Sequence, residues 1–360
     1  MRIRAGVLAG LLLLLAAADS AQARPSRQFY GVVPQSTPAP IDFERMEGGR
    51  VGTLRYVFGW ATIMPTADFA NPDWRELDYV VALAARHGMT VLPGIFGTPE
   101  WLSEYEGCQS RCSVTPPQTQ EGLLVWQGLF AALADRYGPG GEFWDQHPEL
   151  PRFPVRTWQV WNEPNSAMFY APRPDVFSYA RLVVNATTGL RGQDPGARVI
   201  LGGMFGTPDA PIGRSLTAWD FLQGLYAVGL DPWFEGVAIH PYGRKMARVR
   251  KQISRIREVI SRYGSQPASL WITEIGWTSG GDTPLNRGHR GQADRLEQSF
   301  RYLTRARRRL RLKLIAWFAW RDTPRTQARC GWCSWAGLFR SESLTAKPAW
   351  RAFVRFTGGR

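Results

Sequence analysis

The chain has 360 residues, 44% of them hydrophobic and 12% aromatic, so it is long and apolar enough to bury one large core. Lys and Arg number 44 against 30 Asp and Glu, which gives a net charge of +14. These figures exclude a disordered, collagen-like or coiled-coil chain and a protein with many membrane spans. Because the cations are dispersed along the whole chain, a generally basic surface is favoured over a nucleic-acid-binding patch. We therefore predict no nucleic-acid partner.

The N-terminal segment, residues 1–23, is typical of a secretory signal peptide. Arg2 and Arg4 precede the apolar run Val7–Ala18, and Ala21-Gln22-Ala23 supplies small residues where a signal peptidase cleaves. The pattern predicts an extracellular or periplasmic protein. A retained anchor is the alternative, but a bilayer crossing needs about 20 apolar residues and this run is shorter. No other stretch is long and apolar enough to span, so we expect no membrane span after cleavage.

Eight short apolar runs alternate with longer helical patterns over residues 24–360, which is typical of strand–helix units around a parallel sheet. The predicted strands are Phe29–Val33, Val51–Phe58, Thr90–Phe96, Thr157–Trp161, Arg198–Met204, Gly236–His240, Leu270–Glu274 and Leu314–Trp320. The predicted helices are Trp74–His87, Gln118–Tyr137, Val176–Gly189, Trp219–Val228, Ala247–Tyr263 and Gln292–Leu310. The pattern predicts an α/β protein, a single-domain (β/α)8 TIM barrel. An open doubly wound sheet is less favoured, because residues 31–35 lack a glycine-rich phosphate loop.

Four cysteines form two close pairs, Cys108 with Cys112 and Cys330 with Cys333. An oxidising compartment favours a disulfide within each pair. A four-cysteine zinc site and cross-pairing between the two loops are the alternatives, but no histidine lies within either pair and the pairs are far apart in sequence. We predict no metal site and no cofactor.

Two of the predicted strands run into a glutamate, Glu163 after the fourth strand and Glu274 at the end of the seventh. A buried carboxylate without partners is costly, so an acid at the tip of an apolar strand requires an explanation. An ion pair with arginine would explain one such residue. Two of them at the same barrel mouth indicate a shared cleft. Hydrolysis of a glycosidic bond uses such a carboxylate pair, with surroundings that separate the two pKa values.

The segments around these glutamates resemble clan A of the retaining glycoside hydrolases. They are Trp161-Asn162-Glu163-Pro164 and Thr273-Glu274-Ile275-Gly276-Trp277. Within the clan the chain looks most like glycoside hydrolase family 39, the xylosidase and iduronidase relatives, from about Tyr30 onward. The resemblance implies a (β/α)8 barrel that cleaves O-glycosidic bonds of an oligo- or polysaccharide by retaining double displacement.

The resemblance also implies roles for the charged residues of the cleft. Glu163 would be the acid/base and Glu274 the nucleophile, kept ionised by Arg55 and by the hydroxyl of Tyr242. Asn162 would donate a hydrogen bond to the sugar 2-hydroxyl.

Further substrate contacts are implied for a histidine and two tryptophans. His240 would bind the sugar or a catalytic carboxylate, and a core histidine bonded to backbone is the alternative. Trp320 and Trp60 would stack on sugar faces, although a chain with 16 tryptophans must bury several of them. We expect a monomer, and the basic net charge leaves an acidic polysaccharide open as substrate. A secreted, non-catalytic carbohydrate-binding barrel is the alternative function.

Overall fold

The structure is a computed structural model that describes residues 24–103, 111–207, 215–266, 268–327, 330–341 and 343–360. Eight parallel strands form a closed barrel in which each strand pairs with its neighbours in sequence and the last pairs with the first. The strands are β1 (Tyr30–Val33), β2 (Thr53–Gly59), β3 (Thr90–Phe96), β4 (Thr157–Asn162), β5 (Arg198–Phe205), β6 (Gly236–His240), β7 (Ser269–Ile275) and β8 (Leu312–Phe318). The predicted (β/α)8 fold is confirmed.

The α-helices cover the outside of the barrel. In the described part of the chain they are α1 (Pro40–Gly48), α2 (Trp60–Ile63), α3 (Arg75–Arg86), α4 (Gln120–Tyr137), α5 (Glu142–Gln146), α6 (Val176–Gln193), α7 (Ala218–Ala227), α8 (Met246–Tyr263), α9 (Gly288–Leu310) and α10 (Pro348–Thr357). The six predicted helices are present with small shifts at their ends. Side-chain oxygens of Thr119, Asp175 and Thr217 cap α4, α6 and α7 at their first turns.

The strands are buried on both faces, because one face fills the barrel and the other packs against helices. All five residues of β6 are buried, and most residues of the other strands are too. Four polar side chains stand out among them: Arg55, Gln159, His240 and Thr273 are each at most 1% exposed. His240 and Thr273 lie toward the carboxyl ends of β6 and β7, the end where enzymes of this fold place their chemistry, and Arg55 and Gln159 lie nearer the middle of β2 and β4.

The end of β8 differs from the prediction. The strand stops at Phe318, and Trp320 leaves the barrel to pack against Phe339 and Trp350, with ring centroids 4.7 and 5.4 Å away. Its indole nitrogen donates a hydrogen bond of 2.8 Å to Asp42 of α1. Since Trp320 is only 1% exposed, the predicted stacking of this residue on a sugar is wrong.

Trp60 requires the same correction. It begins α2, is 0% exposed, and packs against Trp126 with ring centroids 4.9 Å apart. Its indole nitrogen donates to the sulfur of Met64 within the same turn. In both cases the large apolar ring is buried in the layer between barrel and helices, where its burial stabilises the fold and no ligand can reach it.

Cys330 and Cys333 form the predicted disulfide, with their Cα atoms 5.3 Å apart. Cys112 is also disulfide-bonded, and its predicted partner Cys108 lies outside the described residues. A zinc site that uses the thiolates of Cys330 and Cys333 is therefore excluded in this structure. Across the described ranges, no helix combines the length and the apolar character that a bilayer crossing requires.

Candidate active site

Glu163 and Glu274 meet at the barrel mouth. One carboxylate oxygen of each residue and one ring nitrogen of His240 all lie within 4.8 Å of one another. Glu163 is 6% exposed and Glu274 is 8% exposed, so both carboxyl groups are largely shielded from water while still open to the mouth. The predicted convergence of the fourth and seventh strands on a single cleft is what the structure shows.

The backbone turns sharply at the end of β4, where Glu163 follows the strand. Trp161 and Glu163 have φ angles of 68° and 44°, in the left-handed region that residues other than glycine rarely adopt. Such a conformation costs about 1–3 kcal/mol per residue and persists only where surrounding contacts hold it. Here the indole of Trp161 donates to the carbonyl of Phe169, and the carbonyl of Glu163 accepts from the amide of Ser166.

Glu274 is held by two donors. A guanidinium nitrogen of Arg55 lies 2.5 Å from Oε1, and the hydroxyl of Tyr242 donates to Oε2 at 2.8 Å. Burial raises the pKa of Glu274, while the charge of Arg55 and these hydrogen bonds oppose that rise. Burial, together with the neighbouring carboxylates, also raises the pKa of Tyr242 well above its usual value, so its hydroxyl remains a donor.

Among the residues that the structure describes, no arginine or lysine contacts Glu163 directly. Its Oε1 lies 2.7 Å from Nδ1 of His240, and burial followed by the charge of Glu274 raises the pKa of Glu163 well above its ordinary value. Burial and the charge of Arg55 lower the pKa of His240 well below its ordinary value, so the imidazole is neutral. Of the two carboxyl groups, Glu163 is therefore the one whose surroundings favour the protonated form.

His240 can approach β5 because position 203 is a glycine. A Cβ at Gly203 would lie 2.0 Å from Nε2 of His240, well inside van der Waals contact. The imidazole is fully buried, with Glu163 on one ring nitrogen and the hydroxyl of Thr273 on the other at 3.0 Å. Of the two sequence-based alternatives for His240, the structure shows the contact with a carboxylate.

Asn162 lies beside the pair at the end of β4. Its Oδ1 accepts a hydrogen bond of 2.8 Å from Arg55. Because Arg55 can only donate, the contact fixes which end of the amide faces it. The Nδ2 group of Asn162 has no hydrogen-bond partner among the residues that the structure describes and is free to donate to a ligand.

Sequence reasoning missed two polar residues behind the carboxylates, Gln159 and Thr273. Oε1 of Gln159 accepts from Nε of Arg55 at 2.9 Å, and the hydroxyl of Thr273 contacts His240. Both side chains are fully buried. Their signal was available, because each is a polar residue within an apolar strand, Gln159 four positions before Glu163 and Thr273 one position before Glu274.

The sequence analysis also missed an aromatic wall around Tyr242. Its ring contacts Phe205, Phe318 and Trp332, with centroids 5.7, 6.3 and 4.9 Å away. Trp332 stands between the two cysteines of the disulfide and is half-buried. The cysteine-bounded loop after β8 therefore supplies the partly exposed ring that Trp320 and Trp60 do not.

The cluster of Glu163, His240 and Glu274 has the spacing of a metal site but a poor donor set for one. Both oxygens of Glu274 and both nitrogens of His240 already have hydrogen-bond partners within the protein. A cation at this point would also lie next to the buried guanidinium of Arg55. The arrangement suits proton transfer and nucleophilic attack better than metal binding.

Solved structures share this fold. A family 39 glycoside hydrolase from Bacteroides cellulosilyticus is 18% identical over 93% of this chain and 64% of its own, with a TM-score of 0.62. A monomeric β-xylosidase from Caulobacter crescentus is 18% identical over 92% of this chain and 68% of its own, with a TM-score of 0.64. The family 39 enzyme from Xanthomonas axonopodis pv. citri is 18% identical over 93% and 67%, with a TM-score of 0.68.

No protein-family model and no curated protein matches the sequence. The chain spans about two thirds of the length of the three solved structures, 64 to 68% of each. The resemblance to clan A and family 39 that the two glutamate motifs carried is thus confirmed at the level of the fold.

Proposed function

We propose that this chain is a secreted glycoside hydrolase of clan A that cleaves O-glycosidic bonds with retention of configuration. The observation that carries the proposal is the approach of Glu163 and Glu274, whose oxygens lie within 4.8 Å and whose direct contacts differ, with Arg55 and Tyr242 on Glu274 and His240 on Glu163. Retaining enzymes hold their two carboxyl groups about 5–5.5 Å apart, and inverting enzymes about 6.5–9.5 Å. The short spacing leaves no room for a water molecule between Glu274 and the sugar and supports direct attack.

In the first step, Glu274 attacks the anomeric carbon and forms a covalent glycosyl-enzyme, while the bond to the leaving oxygen breaks. Glu163 gives its proton to that oxygen. Arg55 and Tyr242 hold the attacking carboxylate in its ionised form and in a fixed orientation.

In the second step, water attacks the anomeric carbon, Glu274 departs as a carboxylate, and Glu163 takes the proton of the water. Glu163 can change from acid to base because esterification removes the negative charge of Glu274. That charge is one of the two causes that raise the pKa of Glu163, so its pKa falls when the ester forms.

In this proposal the side chain of Asn162 donates a hydrogen bond to the sugar 2-hydroxyl. Arg55 holds its carbonyl oxygen, so its NH2 group is the end presented to a ligand. A hydrogen bond there strengthens as positive charge develops at the anomeric carbon in the transition state.

Export is part of the proposal and rests on the sequence. Residues 1–23 combine two arginines, an apolar run and an Ala-Gln-Ala site, and the Cys330–Cys333 disulfide suits an oxidising compartment. The mature chain would begin at residue 24, work as a monomer on an oligo- or polysaccharide, and require no cofactor. The positive net charge makes acidic polysaccharides part of the substrate search.

The test is hydrolysis of a panel of aryl β-glycosides, including xylosides and glucosides, and of neutral and acidic polysaccharides. The mature chain is compared with Glu163→Gln and Glu274→Gln, and the anomeric configuration of the first product is read by proton NMR. We expect activity on at least one member, lost in Glu274→Gln, with a product of retained configuration.

An inverted first product would overturn the retaining mechanism. Binding of glycans on an array by all three proteins without hydrolysis of any panel member would favour the non-catalytic carbohydrate-binding barrel.

A further inference from the structure

A continuous series of buried hydrogen bonds leads through the interior of the barrel from Arg55, which contacts Glu274, to Glu163. It runs from Arg55 to Gln159, then to Thr273, His240 and finally Glu163. The donor–acceptor distances along it are 2.9, 3.4, 3.0 and 2.7 Å. The first four residues are at most 1% exposed, so bulk water does not compete for these groups.

The direction of the first half of this line is set by Arg55. A guanidinium has only donors, so Gln159 must turn its carbonyl oxygen toward Arg55. The NH2 group of Gln159 then points at the hydroxyl oxygen of Thr273. That oxygen is an acceptor from Gln159, and its single proton is left for another partner.

The only other hydrogen-bond partner of the Thr273 hydroxyl in the described part of the chain is Nε2 of His240. The hydroxyl therefore donates to Nε2, which must be the unprotonated nitrogen of the neutral ring. The ring proton is then on Nδ1 and is donated to Oε1 of Glu163. In the opposite tautomer the hydroxyl proton of Thr273 would have no acceptor, which is costly in a dry interior.

We infer that Gln159 and Thr273 are positioning residues that fix the tautomer of His240 and so decide which oxygen of Glu163 carries the catalytic proton. Oε1 accepts from His240, so the proton is on Oε2, which has no hydrogen-bond partner among the described residues. That oxygen is the one available to a leaving group. The inference rests on the proposed acid role of Glu163, but the tautomer itself can be measured without any substrate.

The test uses the full chain labelled with ¹⁵N in its four histidines, which gives four imidazoles to resolve. Loss of one set of signals in His240→Gln assigns His240. In the wild type we expect a neutral ring with the proton on Nδ1 and an acceptor shift at Nε2, unchanged across the pH range of activity. A wild-type ring protonated on Nε2 would overturn the inference.

Gln159→Glu gives the sharpest variant, because the carboxylate can accept from both Arg55 and the Thr273 hydroxyl. The hydroxyl oxygen of Thr273 must then accept from His240, and we expect the ring proton to move to Nε2. Thr273→Val removes the hydroxyl and should give a mixture of tautomers, while Thr273→Ser should restore the Nδ1 form. Unchanged His240 signals in a folded Gln159→Glu or Thr273→Val variant would contradict the inference.

Thr187→Val is the matched control. Thr187 is equally buried, but its hydroxyl donates to backbone carbonyls of Val183 and Trp233, away from the site. We expect no change at His240 in this variant.

On a substrate with a poor leaving group, Gln159→Glu should lower kcat about 10- to 100-fold and displace the basic limb of the pH profile, with little effect on activated aryl glycosides. If no substrate is hydrolysed at all, the proposed function fails while the NMR result still decides the tautomer.

Discussion

The ends of β4 and β7 place two chemically identical carboxyl groups within 4.8 Å of each other. The side chains that contact the two groups are different. At the end of β7, Glu274 receives a guanidinium and a phenol hydroxyl. At the end of β4, the carboxyl group of Glu163 is hydrogen-bonded to a neutral imidazole and to no other side chain in the described ranges, and the charge of Glu274 adds to the effect of burial on its pKa. Burial is similar for the two residues, so the direct contacts make the difference on which the proposed roles of nucleophile and acid rest.

The largest expected effect is at the β7 end. Glu274→Ala removes the proposed nucleophile, and we expect kcat to fall by at least about 10⁴-fold on every substrate. External azide should restore turnover of activated glycosides and give a glycosyl azide of inverted configuration, identified by NMR. Restored turnover with retained configuration would assign the nucleophile elsewhere.

The loss of activity on removal of the proposed acid, Glu163, should depend on the leaving group of the substrate. Glu163→Gln should lower kcat/KM about 10²- to 10⁴-fold for substrates with poor leaving groups and far less for activated aryl glycosides. The basic limb of the pH profile should disappear, because that limb reports the loss of the proton from Glu163. Equal losses of activity on both classes of substrate would contradict the role of Glu163 as the acid.

A third substitution should make the electrostatic surroundings of Glu274 and Glu163 more alike, with a smaller effect on activity. Arg55→Met removes the cation from Glu274, and we expect kcat/KM to fall about 10²- to 10³-fold. Because the nucleophile must be ionised, activity falls as pH decreases through the pKa of Glu274. Without Arg55 that pKa rises, so the acidic limb should move to higher pH.

Arg55→Lys is the control for charge, because it keeps a cation beside Glu274. It should displace the acidic limb of the pH profile less than Arg55→Met does. An unchanged acidic limb in Arg55→Met would show that Arg55 does not govern the ionisation of Glu274.

The smallest effect on rate is expected at Trp320, outside the cleft. Trp320→Phe removes the donor to Asp42, and we expect the free energy of unfolding to fall by about 1–3 kcal/mol with KM and kcat unchanged. Denaturant unfolding and kinetics on the same preparation would check both. Trp332→Phe is the matched variant at the mouth, where a rise in KM is expected. A rise in KM for Trp320→Phe would return that residue to the substrate site.

The barrel and its carboxylate pair could be predicted because their signals are local. Alternating apolar runs specify strands that are buried on both faces, and an acid after such a run marks the carboxyl end of a strand. In a (β/α)8 barrel those ends meet at one mouth, so Glu163 and Glu274 could be paired across a long stretch of sequence. Arg55 and Tyr242 followed from the resemblance in their motifs and contact Glu274 as it implied, and Asn162 lies beside them with its implied contact to a sugar still a prediction.

The tryptophans could not be assigned in the same way. Trp60, Trp320 and Trp332 all adjoin strand-end segments, and each can fill a core or stack on a sugar. Only the path of the chain after β8 decides that Trp320 turns toward Asp42 and that the disulfide loop brings Trp332 to Tyr242. These contacts join residues from separate elements, which no local pattern encodes.

The fold class, the strand ends that carry acids and the candidate pair of glutamates can all be inferred from the amino-acid sequence, because hydrophobic periodicity is a property of successive residues and a (β/α)8 barrel brings all its strand ends to one mouth. Only the tertiary structure shows which glutamate contacts Arg55 and Tyr242, which contacts His240, and that Gln159 and Thr273 are hydrogen-bonded behind that histidine. Those outcomes depend on burial and on distances of about 3 Å between side chains of different strands, and such distances exist only once the barrel has closed.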